Sequence, residues 1–322
     1  MSKRGIIMMR VGLTTYGINV RDINDLQYEL HDVYGKGFLD IIEKGAKNDL
    51  KVYDNNRNNE SVFTVDDIKR KLIENENGQA RYEVLFLRVK TGDYGVESEI
   101  VDSGSGITSY TRSATEADVL PFGCCIMVPC GEFKSGVVTI QSIGRYGIKS
   151  VMNKRIDAYV KAINSNLRIT MGTIVPKVYM ERFLEHGVLQ SIRIIRHGIP
   201  NDVADQYGVD RNVKNIVEER VIRKPSGFLS NKLSDIKACM NGTKRYDEVV
   251  QIEGFEVDDL KLDFKMGKRN KSISLKNLEN LVAAEDITDE VAIEKGNPNF
   301  SSLCEIMQTT AEFYLRAKGL LY

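Results

Sequence analysis

The segment Phe133–Ile169 concentrates basic side chains in a chain whose charges otherwise cancel. The 45 lysines and arginines of the whole sequence balance 45 aspartates and glutamates, but this segment contains a single acid, Asp157. Its basic residues are Lys134, Arg145, Lys149, Lys154, Arg155, Lys161 and Arg168. Local positive charge on a neutral protein is typical of a surface that meets phosphate groups. The segment therefore indicates nucleic-acid binding.

Further basic residues occur on a predicted strand and around a predicted hairpin tip near the C-terminus. Lysine and arginine bind DNA chiefly by displacing condensed counterions, so such binding is salt-sensitive and indifferent to base sequence. The predicted contacts to the phosphate backbone are Arg145, Lys149, Lys154, Arg155, Lys161, Arg193, Arg196, Lys268, Arg269 and Lys271. The alternative is that these charges form an ordinary solvated surface, as most charge runs do.

The tripeptide Asp263-Phe264-Lys265 indicates a second kind of chemistry. A metal-dependent nuclease holds Mg²⁺ with carboxylates and polarises the scissile phosphate with a cation. Asp263 and Lys265 would share one face of a strand, with Asp247 or Asp259 as a further acid. Alternation of polar residues on the exposed face of a hairpin explains the same pattern. A Mg-dependent nuclease centred on this strand is therefore an alternative to DNA binding without catalysis.

The histidines and cysteines give no catalytic or metal-binding pattern. None of the three histidines has an evident nucleophile or acid partner. Cys124 and Cys125 belong to the run FGCCIMVPCG, which is typical of a buried strand, and zinc would need further Cys or His ligands at suitable spacing. The sequence thus predicts no catalytic residue, no metal and no cofactor. An odd number of cysteines without a framework spacing favours reduced thiols in the cytoplasm.

The elements that position these residues predict an α+β fold, because strands come in antiparallel hairpins and not in βαβ units. The predicted strands are Ile6–Ile18, Tyr82–Lys90, Val96–Val101, Phe122–Pro129, Val137–Ile143, Val188–Arg196, Asn212–Lys224, Leu260–Met266 and Ser272–Leu275. The predicted amphipathic helices are Asn24–His31, Thr64–Glu74, Ser150–Asn164, Lys177–His186 and Ser301–Lys318. The second helix is predicted because Thr64-Val65-Asp66-Asp67 has the form of a capping box. The last helix is expected to serve packing or dimerisation.

A Ser/Thr/Gly-rich segment, residues 102–118, predicts a domain boundary or a mobile loop. We therefore expect two subdomains. Residues 1–120 would form an N-terminal α+β domain, and residues 121–322 a C-terminal α+β domain with the basic surface and the terminal helix. No apolar run reaches the length of a transmembrane helix, and the start lacks the pattern of a signal peptide. These features predict a cytoplasmic protein without direct membrane insertion.

Short motifs give the chain a resemblance to a known family. TVDDIK at Thr64–Lys69 precedes an apolar strand, and Ile143-Gly144-Arg145 is followed by Ile148-Lys149 and an amphipathic helix. A late hairpin and a terminal helix complete the order. Over residues 64–322 the chain resembles the RexA type of phage-exclusion protein and, more loosely, the DNA-binding subunit of the Kiwa defence system.

This resemblance implies a homodimeric sensor that binds DNA of any sequence during phage infection and signals to a separate membrane effector. Only Arg145 and Lys149 match the motif, so only they are carried over as binding residues. The leading hypothesis is a non-enzymatic, cytoplasmic DNA-binding protein of bacterial antiphage defence that acts in abortive infection. The alternatives are the nuclease described above and a non-catalytic protein-interaction subunit.

Overall fold

The computed structural model describes residues 10–56, 61–173, 184, 187–198, 217–253, 255–266, 269–276 and 284–320. Within these ranges it confirms an α+β fold with antiparallel sheets. The helices are α1 (Phe38–Asn48), α2 (Lys149–Lys161), α3 (Phe228–Met240) and α4 (Phe300–Ala317). Among these four, no helix is both long and apolar enough to cross a bilayer.

The strands are numbered in chain order. They are β1 (Val11–Arg21), β2 (Asp54–Asn56), β3 (Ser61–Glu74), β4 (Ala80–Asp93), β5 (Ser98–Val101), β6 (Thr108–Arg112), β7 (Asp118–Pro129), β8 (Gly136–Ile143), β9 (Tyr146–Gly147), β10 (Arg168–Thr173), β11 (Val188–His197), β12 (Val217–Arg223), β13 (Asp259–Met266), β14 (Arg269–Ser274), β15 (Ala284–Asp286), β16 (Ile293–Glu294) and β17 (Asn297–Pro298).

The chain divides into two compact units that differ from the predicted domains. One unit comprises residues 1–174 together with 284–322, and the other comprises residues 175–283. The boundary predicted at residue 120 falls inside β7, where Leu120 pairs with Thr91 of β4. Because β4 and β7 are neighbours in one sheet, a division at this point would separate hydrogen-bonded strands.

The first unit is built on a large antiparallel sheet with the strand order β10-β1-β8-β7-β4-β3-β2. Strand β15 also pairs with β1, and β9 pairs with β8. Strands β7 and β8 confirm the predicted strands Phe122–Pro129 and Val137–Ile143, and they pair with each other. The short strands β5 and β6 form a separate two-stranded ribbon that leaves the sheet between β4 and β7.

Helices cover the sheet on both faces. Helices α1 and α2 pack on one face, where Phe38, Ile42, Met152 and Ile156 join Cys124 in a buried cluster. The neighbouring Cys125 is buried beside Cys304 of α4, and successive strand residues point to opposite faces of a sheet. Helix α4 therefore packs on the other face. Its buried stripe, as predicted from the sequence, includes Leu303, Met307, Ala311, Tyr314 and Leu315.

Two predicted elements of the first unit are wrong. Thr64–Glu74 is not a helix but most of strand β3, and it pairs with β4. Asn24–His31 is a loop with an isolated bridge from Gln27 to Arg21. The predicted strand Val96–Val101 is present in part as β5, and it pairs with β6 and not with the preceding strand β4.

The second unit contains an antiparallel sheet in the order β12-β11-β13-β14. It confirms the predicted hairpin of β13 and β14, whose register pairs Leu262 with Ile273. One face carries buried apolar residues such as Ile192, Ile194 and Leu262, while Arg193 and Asp263 lie on the other face. Except for Leu184, the predicted helix Lys177–His186 lies outside the described residues.

Candidate nucleic-acid interface

One end of the large sheet gathers residues that are distant in sequence. Ser61 at the start of β3 pairs with Asp93 at the end of β4, and Asp93 pairs with Asp118 at the start of β7. Strand β8 runs antiparallel to β7, so its last residue, Ile143, lies at this same end. The turn that contains Arg145 follows at once and leads into α2. We call this region the α2 end of the sheet.

Three of the predicted binding residues stand at the α2 end with their charges available. Arg145, Lys149 and Lys154 are exposed, and none of them forms an ion pair with an acid in the described part of the chain. The Arg145 guanidinium donates a hydrogen bond to the Tyr146 hydroxyl at 3.3 Å and lies 5.3 Å from the centre of its ring. The Lys149 ammonium lies 4.5 Å from the centre of the Tyr16 ring. Aromatic rings thus attract Arg145 and Lys149 through cation–π contacts and leave their positive charge unpaired with an acid in the described residues.

The start of α2 adds to the positive potential of this region. The residue before the helix, Ile148, provides no side-chain cap, and the first turn contains no acid. The unsatisfied N–H groups and the helix dipole give the N-terminus of a helix a partial positive charge. The two effects and the nearby cations favour an anion at this position.

The other two predicted residues of α2, Arg155 and Lys161, each pair with an acid. The Arg155 guanidinium pairs with Asp54 at 2.5 Å and with Asp49 at 3.8 Å, and it lies 4.5 Å from the centre of the Phe63 ring. Lys161 pairs with Asp157 at 2.6 Å, one helical turn away. A cation that already faces a carboxylate attracts phosphate less than a cation without one.

Arg193 and Arg196, in the second unit, are also engaged by acids. Arg193 donates from Nε to Asp263 Oδ2 and from Nη2 to Asp263 Oδ1, both at 2.8 Å. Arg196 is 6% exposed, pairs with Glu218, and lies 4.6 Å from the centre of the Phe255 ring. A buried guanidinium cannot reach a phosphate backbone. Arg196 is thus enclosed and Arg193 faces two acids, so neither is retained among the phosphate contacts proposed below.

The same contacts weigh against the nuclease alternative. Burial alone would raise the pKa of Asp263, but the hydrogen bonds from Arg193 and Ser191 outweigh it and hold that pKa below its ordinary value. Both oxygens of Asp263 accept from the Arg193 guanidinium, and Oδ2 also accepts from the Ser191 hydroxyl, so the nearest charge to this carboxylate is already a cation. Asp259 is buried and accepts hydrogen bonds from the Ser274 hydroxyl. The structure therefore assigns Asp263 to an ion pair of the sheet.

The remaining predicted contacts are Lys268, Arg269 and Lys271 of the C-terminal hairpin. Lys268 lies outside the described residues. Arg269 pairs with Met266, and Lys271 with Phe264, in the β13–β14 hairpin. These pairings fix the backbone positions of the two residues.

The α2 end also contains polar residues that no sequence motif singles out. Ser61, Asp93 and Ser150 border a groove together with Lys154 and Arg155. They come from the β3 start, the β4 end and the first turn of α2. Isolated serines and aspartates at strand ends are common in any chain, and only the strand register brings these three together.

Comparisons with known proteins do not place the chain in a family. No family model matches it, and neither does any curated protein. Among solved structures, it is similar to a PDZ domain protein from Parabacteroides distasonis at 6% identity, over 87% of this chain and 74% of that chain. The TM-score of 0.13 is too low to indicate a shared fold.

Proposed function

We propose that this protein binds DNA through the phosphate backbone, with Arg145, Lys149 and Lys154 as the contacting cations. The observation that carries the proposal is the contrast between these residues and the other predicted contacts. At the α2 end, three exposed cations have no acid partner in the described residues, whereas Arg155, Lys161, Arg193 and Arg196 face carboxylates. Contacts to phosphate carry no base information, so the binding would be indifferent to sequence.

A double charge reversal, Arg145→Glu with Lys149→Glu, tests this proposal. Duplex binding should weaken. The plot of the logarithm of the association constant against the logarithm of the salt concentration should become less steep by about 2, since each lost phosphate contact removes roughly 0.9 from the magnitude of its slope. The matched control is Lys36→Glu with Lys134→Glu, which makes the same change in net charge. Lys134 precedes β8 and Arg145 follows it, so Lys134 lies at the other end of a strand of about 25 Å. Lys36 accepts a hydrogen bond from Val33 in the turn after Leu30, whose N–H donates to the Phe133 carbonyl beside Lys134.

The measurement is fluorescence anisotropy with two unrelated duplexes at several salt concentrations. Loss of binding in the Arg145/Lys149 variant, with the control unchanged, supports the proposed interface. Equal loss in both variants would mean that only net charge matters. Unchanged binding by the Arg145/Lys149 variant would overturn the proposal.

We further propose that DNA binding serves as a sensor in bacterial antiphage defence, in the cytoplasm and with a separate membrane protein as effector. The support is the resemblance to RexA-type proteins at Ile143-Gly144-Arg145 and Ile148-Lys149, which here form the turn and the start of α2. TVDDIK contributes less, since it lies in β3 and not in a helix. Phage plating on cells that express the chain with its genomic neighbours tests the role. Protection should disappear with Arg145→Glu/Lys149→Glu and persist with the control.

A protein-interaction role has its own support in the β5–β6 ribbon. Val96, Ile100, Ile107 and Tyr110 are 48–68% exposed on this ribbon, although they are large apolar side chains. Exposed apolar clusters often mark contacts with other proteins. We therefore propose the ribbon as a contact in a homodimer or with the effector. Ile100→Ser with Ile107→Ser should lower the sedimentation coefficient if the ribbon joins two copies.

A further inference from the structure

A groove of about 200 Å³ opens at the α2 end of the sheet, between α2 and the paired ends of β3 and β4. It is lined by residues of all three elements. Pockets that enclose a drug-sized ligand are larger, at about 300–1,000 Å³. The groove therefore admits one small planar or polar group that belongs to a larger ligand.

One part of the groove lining is a guanidinium that its neighbours hold in place. The Arg155 guanidinium lies over the Phe63 ring, and Asp54 and Asp49 hold it from the side. Phe63 is 4% exposed, so the ring cannot move away from the guanidinium without opening the core. Bases released from a stack commonly pack on aromatic rings and on guanidinium planes. Arg155 thus acquires a different role from the phosphate contact that the sequence predicts.

The polar lining selects a base over a phosphate. Asp93 lines the groove and pairs with Ser61 across β3 and β4, so the two side chains share one face of the sheet. A carboxylate repels an anion but accepts hydrogen bonds from the N–H groups of a base. Ser61 also lines the groove, and a serine hydroxyl can act as a donor or an acceptor. Lys154, exposed at the border, suits the backbone phosphate that remains outside. Base, sugar and phosphate would then meet groups of matching chemistry.

We propose that this groove accepts one unstacked base of a single-stranded nucleic acid, with a preference for bases that carry an amino group. This inference rests on the proposed DNA binding and specifies its substrate class. A base in a duplex is held in its stack, so duplex DNA would contact the cations of the α2 end and leave the groove empty. Asp93 would accept from the amino group of cytosine and have fewer donors to meet on thymine.

Three single-stranded 12-mers with equal charge separate the contributions of base and backbone. They are oligo(dC), oligo(dT) and an abasic chain, and a 12-bp duplex provides the reference. With the unmodified protein we expect the affinity to be highest for oligo(dC), lower for oligo(dT) and lowest for the abasic chain. The affinities for oligo(dC) and oligo(dT) should differ about tenfold. Equal affinity for dC and the abasic chain would show that no base enters the protein.

Two variants then locate the effect. Ser150→Trp fills the groove without changing the charge and should lower affinity for oligo(dC) about tenfold, with duplex binding kept. Ser165→Trp, on the exposed turn after α2, is the matched control. Asp93→Asn should abolish the preference for dC over dT while the fold stays intact. If Asp93→Asn keeps the preference, or if Ser150→Trp binds oligo(dC) normally, the base site is refuted.

The two proposals fail in different ways. If Arg145→Glu/Lys149→Glu still binds duplex normally, the cationic interface is wrong. If that variant loses duplex binding while Ser150→Trp and Asp93→Asn change nothing, the interface stands and only the base site falls.

Discussion

Arg193 and Asp263 are joined by two parallel hydrogen bonds across the β11–β13 pair, each 2.8 Å long. The sequence suggests opposite roles for the two residues, a phosphate contact for the arginine and a metal ligand for the aspartate. The structure uses each to neutralise the other. Glu219 and the Ser272 hydroxyl extend the same network across the polar face of the sheet.

We predict that Asp263→Asn lowers the free energy of unfolding by about 1.5–3 kcal/mol at pH 7, because hydrogen bonds to charged groups contribute about that much. The pKa of Asp263 is lowered in the folded protein, so its contribution is complete above the pKa of the unfolded chain, near 3.9. The contribution is lost as the pH falls through the folded pKa. The difference between the two proteins in urea unfolding should therefore shrink from pH 5 towards pH 2.

Lys265→Ala is the control for this change. Lys265 is exposed and two residues along the same strand, so its replacement should alter stability by no more than about 0.5 kcal/mol. Two results would contradict the ion pair. One is that Lys265→Ala loses as much free energy of unfolding as Asp263→Asn. The other is that the destabilisation by Asp263→Asn stays constant at low pH.

The packing of α1 on α2 depends on Gly45. A Cβ at this position would lie 2.4 Å from ring atoms of Tyr159, whose hydroxyl donates to Asp49. Replacing a helix glycine with alanine ordinarily stabilises a protein by up to about 1 kcal/mol. We predict that Gly45→Ala instead destabilises it by about 1–2 kcal/mol, since overpacking dominates. Gly172→Ala in β10, where a Cβ meets no atom within 4 Å, is the matched control. A rise in the thermal midpoint of Gly45→Ala would contradict the contact.

The error at Thr64–Glu74 has a specific geometric cause. Val65 and Ile68 both face the α1/α2 core, three residues apart, which is the spacing of a helix face. In β3 this spacing results from a bulge between Val65 and Asp67, which shifts the alternation by one residue. Asp67, the acid of the expected capping box, accepts a hydrogen bond from the Ile68 N–H instead. A local pattern cannot distinguish a bulged strand from a short helix.

The ion pairs show why the site could be predicted only in part. The pairing of Lys161 with Asp157 follows from their spacing of four residues on one helix and is visible in the sequence. Arg155 and Asp54 are 101 residues apart, and Arg193 and Asp263 are 70 apart. Counting charges along the chain therefore identifies the basic segment. It does not show which of the cations remain available to bind phosphate.

Asn299 is the N-cap of helix α4. The side-chain oxygen of this residue accepts hydrogen bonds from the N–H groups of Ser301 and Ser302. We predict that Asn299→Ala lowers the free energy of unfolding by about 0.5–2 kcal/mol, because two N–H groups lose their partner. Asn299→Ser, which keeps a capping oxygen, should recover most of this loss in the same urea titration. Equal losses in both variants would show that the cap contributes little.

The cysteines should react in an order set by their burial. Cys124 and Cys125 are fully buried in β7, whereas Cys130 just after that strand is only half-buried. Burial raises the pKa of Cys124 to about 12 and that of Cys304 to about 11, and the thiolate is the reactive form. The Cys124 thiol therefore stays protonated at pH 8. We predict that iodoacetamide labels Cys130 first in the native protein, and Cys124 and Cys125 only after unfolding in urea.

Peptide mass spectrometry of samples quenched at increasing times measures each site separately. In urea all five thiols should react at similar rates, which shows that the native order comes from the fold. Because Gly123 lies against Leu303 and Met307 of α4, access to β7 from this face requires α4 to detach. Labelling of Cys125 as fast as Cys130 in native buffer would therefore mean that α4 does not stay packed on the sheet.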